Sequence, residues 1–303
     1  MPDAERRKSR GVGTPRVAIT GAGGILGTAL RECLPEGPDA MEAVGLARAE
    51  LDVTRPEAVQ RKLEEISPDA VIHAAAYTKV DAAEEAPEAA RAVNAAGTAN
   101  VARMCASLGC RFVHLSTDYV FDGASDRPYR EDDPVSPLGV YGATKWEGEE
   151  AVRAHGPADS LIVRTAWVYG PAGRNFVDAI LEKGALGEPI RVVNDQRGAP
   201  TYAADLAGAL KALLRTEARG VVNVIGGGEC TWYDFAREVL SAAGQDPVIV
   251  EPTSARLLGR KAPRPAYSVL DGSVYRGWTG RALRPWPEAL RDYLALRGAL
   301  MEG

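Results

Sequence analysis

Five short runs of apolar residues, each continuous rather than alternating, recur between Arg16 and Trp167: RVAIT (16–20), AVGL (43–46), AVIHAA (70–75), RFVHLS (111–116) and LIVRTAW (161–167). A strand with one wet face alternates apolar and polar side chains, whereas a strand covered on both faces reads as an unbroken apolar run. Between the runs lie Ala-rich amphipathic stretches at 25–34, 56–66, 88–108 and 141–154, and Pro87 stands where a first-turn proline suits a helix. Strand and helix in rotation, with crossovers this long, predict right-handed β-α-β units packed into a parallel sheet. After Ala166 glycine and proline become frequent. Helices near 175–184, 203–215, 231–243 and 286–296 alternate there with isolated strands, IRVV (190–193) and GVVNV (220–224).

The expected fold is therefore α/β, a doubly wound parallel sheet over 15–166 with a smaller C-terminal lobe over 167–303, and segment 203–225 is able to return to the sheet. Residues 1–14 are charged and lack an apolar stretch, so they read as a disordered tail and not as a secretory signal. Lys and Arg total 36 against 41 Asp and Glu, and the net charge of −5 gives no general attraction for nucleic acid or an anionic membrane. No window approaches the roughly 18 consecutive apolar residues of a membrane span. The expectation is a cytoplasmic protein. Cys33, Cys105, Cys110 and Cys230 have no C-x-x-C spacing and read as small buried hydrophobes.

Directly after the first strand comes Thr20-Gly21-Ala22-Gly23-Gly24-Ile25-Leu26-Gly27, opening a helix. Glycines in that place let the backbone turn tightly and approach a pyrophosphate, whose charge rests on the first amides of the helix. At the end of the second strand, where an acid usually receives the ribose hydroxyls of NAD, stands Arg48, which either pairs with the 2′-phosphate of NADPH or is a solvated surface residue. Asp52 and Val53 follow; they border the adenine, or Asp52 caps the helix that starts after Pro56. Tyr141 and Lys145 are four residues apart on a helix, so they share a face, and a fixed ammonium is a direct way to lower a phenol's pKa. Thr117, ending the fourth strand, is placed to hydrogen-bond a reacting carbonyl.

On these residues the sequence resembles the extended short-chain dehydrogenase/reductases, and within them the dTDP-4-dehydrorhamnose reductases. The likeness extends through AAAYTKVDAAE (74–84), STDYVFDG (116–123), SPLGVYGATKWEGE (136–149), RTAWVYG (164–170), NF (175–176), VVNDQRGAPTYAADLA (192–207) and RPAYSVLD (264–271). The resemblance implies a Rossmann-type fold and a small-molecule nucleotide-sugar substrate, with NADPH, or NADH, as cofactor. It implies Tyr141 as proton donor, Lys145 as its partner and ribose ligand, and Thr117 as the third catalytic member. Gly21, Gly24, Ile25, Leu26, Gly27, Arg48, Asp52, Val53, Ala75, Ala76 and Tyr77, with Tyr141 and Lys145, would line the cofactor. Thr117, Asp118, Trp167, Val80 and Asn175 would meet the substrate. Tyr77 stands where relatives often carry His. Some relatives hold magnesium between subunits through glutamates that have no match here, so no metal is expected, and a homodimer is compatible.

Two other readings fit the same motifs: a related epimerase or other 4-ketoreductase, and a non-catalytic NADP-binding regulatory subunit. In the 4,6-dehydratases an Asp-Glu pair follows the catalytic Thr, whereas here Tyr119 follows Asp118. Of the remaining candidates, His73, His114 and His155 are lone histidines, the first two inside strand runs. Arg174 and Arg197 could fork a diphosphate or make surface ion pairs. Trp232 and Tyr233 could stack on a base or close a core.

Overall fold

The computed structural model describes residues 13–298, so the tail expected over 1–14 lies outside it except for Gly13 and Thr14. Six parallel strands make the central sheet: β1 (Arg16–Thr20), β2 (Glu42–Leu46), β3 (Ala70–His73), β4 (Arg111–Thr117), β5 (Leu161–Thr165) and β10 (Gly220–Asn223), in the order β10-β5-β4-β3-β1-β2. The chain runs outward from β1 to β2 and then crosses back past β1 to β3. The carboxyl ends of β1 and β3 thus flank the point where the winding direction reverses, the position at which open α/β sheets leave a crevice for ligands.

Successive side chains of one strand enter opposite cores, which is why the runs are continuous. Val17, Ile19, Ile72, Val113 and Val163 pack under α1 (Ile25–Cys33) and α8 (Ala203–Leu214), against Leu30, Leu206 and Leu210. Ala18, Val71, Phe112 and Ile162 face the other way, toward Val59 and Leu63 of α2 (Pro56–Ile66), Val101 and Cys105 of α5 (Thr98–Leu108), and Val152 of α6 (Val140–His155). Arg111 donates to the carbonyls of Leu214, Thr216 and Ala218, satisfying the end of α8 and the link to β10. Both the helix and the strand of 203–223 therefore sit on the sheet.

The rest of the C-terminal half has its own core. Tyr169, Phe235, Leu240, Leu290 and Tyr293 meet there from β6 (Val168–Tyr169), α9 (Trp232–Ala242) and α11 (Trp286–Leu296). Around them β7 (Ile190–Val193) pairs in parallel with β12 (Val250–Thr253), β6 with β9 (Thr201–Tyr202), and β8 (Arg197–Gly198) antiparallel with β11 (Cys230–Thr231). Helix α7 (Phe176–Leu186) completes the layer. Among the described residues no helix is long and apolar enough to cross a membrane.

Three details depart from the sequence reading. The AVIHAA run stops at His73, freeing Ala74 to Ala76 to form the crevice wall. LIVRTAW stops at Thr165 because Trp167 adopts φ +47°, a left-handed conformation no strand contains. Asp52 does not cap α2, whose first-turn neighbour Arg55 gives no side-chain cap. Its carboxylate instead accepts from N and Oγ1 of Thr54, at 3.0 and 2.7 Å.

Candidate active site

The crevice begins with the glycine loop. Gly21 takes φ +71°, and a methyl on it would lie 2.7 Å from the amide nitrogen of Ala75, so the β1 and β3 loops touch only because Gly21 has no side chain. A methyl on Gly27 would meet the carbonyl of Gly21 at 2.3 Å, which keeps α1 seated against the turn. Helix α1 has neither a side-chain cap nor an acid in its first turn, so the amides of Ile25 and Leu26 face the crevice with the positive end of the helix dipole. That donor set fits a dinucleotide pyrophosphate. Arg48 is exposed beyond β2 and makes no ion pair among the described residues. Val53 turns its side chain into the core, and its carbonyl accepts from Asn100 Nδ2 at 3.0 Å, so only its backbone can border an adenine.

Ala75, Ala76 and Tyr77 form the opposite wall, half-buried. Asn94 fixes that wall: its Oδ1 accepts from Tyr77 N at 2.7 Å, and its Nδ2 donates to Tyr77 O and to Thr144 Oγ1 of α6. Asn94 lies in a π turn, Ala92–Gly97, inserted between α4 (Pro87–Arg91) and α5, the kind of local widening that recurs at functional sites. Helix α6, which carries Tyr141 and Lys145, is seated from three sides. Glu84 of α3 (Val80–Glu85) accepts the first amide of α6, Val140 N, at 2.8 Å. Gly142 passes so close to Tyr119 O that a methyl would stand 2.2 Å from it, and a methyl on Gly148 would stand 2.5 Å from Asn94 O.

Tyr141 and Lys145 share α6 as expected, but the ammonium does not depress the phenol. Tyr141 is pushed up to about 12, by burial foremost, against the pull of the Thr117 hydroxyl and with Asp118 adding to the rise. Lys145 is instead turned inward. Its Nζ donates to Leu115 O at 2.5 Å and lies 3.4 Å from His114 Nε2, and burial lowers it to about 8 while Glu149 works to raise it. His114 stacks on His73 at 5.5 Å between centroids, and His73 Nδ1 pairs with Thr20 Oγ1 at 2.7 Å. Both rings are held neutral by burial and by the nearby Lys145 charge, His73 at about 3. They are buried polar links beneath the site.

Thr117 and Asp118 end β4 at the mouth of the crevice. Thr117 Oγ1 donates to Asp118 Oδ1 at 2.9 Å and accepts from Tyr119 N. Asp118 is 2% exposed, and burial lifts it to about 6 against the stabilising contacts of Ser268 and Thr117. Tyr119 meets Tyr141 edge-on at 5.6 Å, and Val80 lines the same recess as Tyr119 and Tyr141. The Trp167 loop follows β5, whose Thr165 pairs with Thr117.

Other candidates fall elsewhere. Asn175 is the cap of α7: its Oδ1 accepts from Asp178 N, and its Nδ2 donates to Gly170 O, Asp178 Oδ2 and Tyr293 OH. The structure thus gives Asn175, expected at the substrate, a helix-capping role inside the lobe. Arg174 pairs with Glu182 and Arg197 with Glu229, both on the surface, and His155 meets Arg103 at 2.9 Å in the open.

The sequence reading missed a buried support. Glu149 and Arg164, both at most 1% exposed, pair at 2.8 Å, and Ser116 donates to Glu149 Oε1 at 2.6 Å. An Arg inside the apolar run LIVRTAW was the available signal, because a buried guanidinium demands a carboxylate. Asn94 offered less: one polar residue in an Ala-rich helix does not announce what it holds.

The sequence model of the RmlD substrate binding domain matches residues 15–297. A dTDP-4-dehydrorhamnose reductase of Streptomyces griseus is 42% identical over 283 residues, covering 92% of each chain. A probable dTDP-4,6-dihydroxy-2-methyloxan-3-one 4-ketoreductase of Streptomyces antibioticus is 44% identical, over 91% of this chain and 94% of that one. Among solved structures, the dTDP-4-dehydrorhamnose reductase of Bacillus anthracis in complex with NADP superposes with a TM-score of 0.89 at 38% identity, over 94% of this chain and all of the other. With its glycine cradle at the β1/β3 reversal and its Tyr-Lys helix beside the end of β4, this chain belongs to the RmlD substrate binding domain family.

Proposed function

We propose that this enzyme reduces the C4 keto group of dTDP-4-dehydro-L-rhamnose to give dTDP-L-rhamnose, using NADPH. The observation that carries the reading is the meeting of the Thr117 hydroxyl and the Tyr141 phenol at the carboxyl edge of the sheet, beside a cradle of uncapped amides that suits a dinucleotide. The S. griseus relative and the NADP complex from B. anthracis support both substrate class and cofactor.

NADPH bound in the crevice supplies the hydride. The residues handle the oxygen. Tyr141, about 12, is protonated at neutral pH and gives its phenolic proton to the C4 oxygen, so that C=O becomes CH–OH and a phenolate remains. Thr117 orients that oxygen with its hydroxyl. Lys145, one turn further along α6, provides the cation that steadies the phenolate, its flexible stem turning the ammonium away from Leu115 O. Asp118, Trp167 and Val80 frame the sugar, while Arg48 receives the 2′-phosphate. Residues 15–166 with 203–225 serve as the cofactor unit, and the rest of the C-terminal half mainly as the substrate unit, in keeping with the main cores, although Tyr275 packs into the core of the sheet.

A second reading keeps the chemistry and changes the sugar, favoured by the 44% identity to a 4-ketoreductase named for a different keto-sugar. The decisive experiment follows NADPH absorbance with dTDP-4-dehydrorhamnose, with NADH in parallel. Stoichiometric oxidation faster with NADPH is expected. Interconversion of nucleotide sugars without net oxidation would replace the reductase by an epimerase.

A further inference from the structure

Trp167 is held in an unusual way. Its backbone is left-handed at φ +47°, a strained state for a bulky residue, so the surrounding structure must hold it there. Trp232, the first residue of α9, stacks on its indole with 3.6 Å between centroids and 11° between planes. Phe176 backs Trp232 at 4.5 Å. On the Trp167 ring also lies Gly198 of β8, whose missing methyl would stand 2.4, 2.6 and 2.7 Å from Cε2, Cζ2 and Nε1. Those near-equal distances to an atom and its two bonded neighbours put the glycine over a face of the indole. It cannot be the face that Trp232 already covers, so both faces are occupied.

Resting on the nucleotide-sugar reading, we propose that Trp232 is a positioning residue for substrate selection: Trp232 and Gly198 clamp the Trp167 indole so that only its edge is presented to the sugar nucleotide. The clamp is anchored outside the crevice. Thr231 caps α9 through a reciprocal pair with Asp234, which fixes where Trp232 begins, and β11 pairs Thr231 with Arg197 next to Gly198. Selection then depends on the angle of one ring edge, and that angle is set by residues that need not touch the substrate.

The test compares wild type, Trp232→Ala, Trp232→Phe and Gly198→Ala. Circular dichroism of the free protein reads the exciton couplet of two stacked indoles; steady-state NADPH oxidation and NADPH titration read function. Expected for Trp232→Ala are loss of the couplet, a KM for dTDP-4-dehydrorhamnose raised about tenfold or more, the scale of one well-placed contact, a smaller change in kcat, and unchanged NADPH affinity. Trp232→Phe restores most of KM, and Gly198→Ala, which must displace the ring, follows Trp232→Ala. An unchanged sugar KM in Trp232→Ala overturns the clamp, as does a parallel loss of NADPH binding, which marks a general lesion. If wild type fails to oxidise NADPH with this sugar, the parent reading fails, whereas the couplet in the free protein still decides whether the rings are stacked.

Discussion

Nζ of Lys145 lies 3.4 Å from Nε2 of His114, deep under the site and 2% exposed, with Leu115 O as its nearest acceptor. The titratable groups acting on it are Glu149 on its own helix, His114 on β4 and His73 on β3. The two neutral histidines supply no countercharge, and Glu149 is shared with Arg164 and Arg153.

This burial sets opposite pH dependences for stability and turnover. Lys145 is near 8 in the folded chain against an ordinary 10.5, so between those values the unfolded chain holds a proton that the folded one has released, and stability rises with pH across that window. Below pH 8 the buried ammonium costs roughly 3 kcal/mol, at about 1.4 kcal/mol per pKa unit. Lys145→Met is therefore expected to resist urea better than wild type at pH 7 while losing turnover. Wild-type kcat/KM should fall as pH climbs through about 8, when the ammonium is lost. Equal urea midpoints for the two proteins at neutral pH would refute the burial cost.

Tyr141→Phe removes the proton and keeps the ring edge against Tyr119. Turnover should drop by about 10² to 10⁴, the usual worth of a positioned acid. NADPH affinity, read by fluorescence titration, should stay within about twofold because no cradle amide is touched. A variant that turns over normally removes Tyr141 from the chemistry.

Arg48 offers the readiest handle on cofactor choice. It is exposed, unpaired among the described residues, and stands beyond β2. Arg48→Ala should raise KM for NADPH by about tenfold, the loss of one charge-assisted contact, and leave KM for NADH nearly unchanged. The ratio of the two kcat/KM values is the measurement, and an unaltered ratio assigns the 2′-phosphate elsewhere.

The Glu149–Arg164 pair should behave as one unit. Glu149→Gln strands a guanidinium that is 1% exposed, and about 3 to 5 kcal/mol of stability should be lost. Arg164→Met leaves the carboxylate with Arg153 and the Ser116 hydroxyl, so it should cost less than Glu149→Gln. Combining Glu149→Met with Arg164→Met should be less destabilising than the sum of the single changes, because no charge is left alone. Urea unfolding of the four proteins checks this; strict additivity would mean the pair is not coupled.

Much of this molecule was legible before any coordinates. Continuous apolar runs placed β1, β3, β4 and β5 to within two residues because burial on both faces leaves a local signature at every position. The glycine loop was legible for a similar reason: its spacing reflects a turn made by consecutive residues. Arg164 left a trace within its strand, but the partner that explains it lies on a different helix.

Sequence by itself determined the strand-helix rotation, the cradle for a dinucleotide, and the Tyr141–Lys145 spacing on one helix face, all consequences of neighbours in the chain. Tertiary structure alone decided which way Lys145 points, that Asn175 caps a helix, that Asn94 joins the crevice wall to α6, and that Trp167 is gripped between Gly198 and Trp232. Those outcomes depend on desolvation and on contacts between residues far apart in the chain. Neither leaves a periodic trace in the order of residues, because burial and partner choice are fixed only when distant segments pack together.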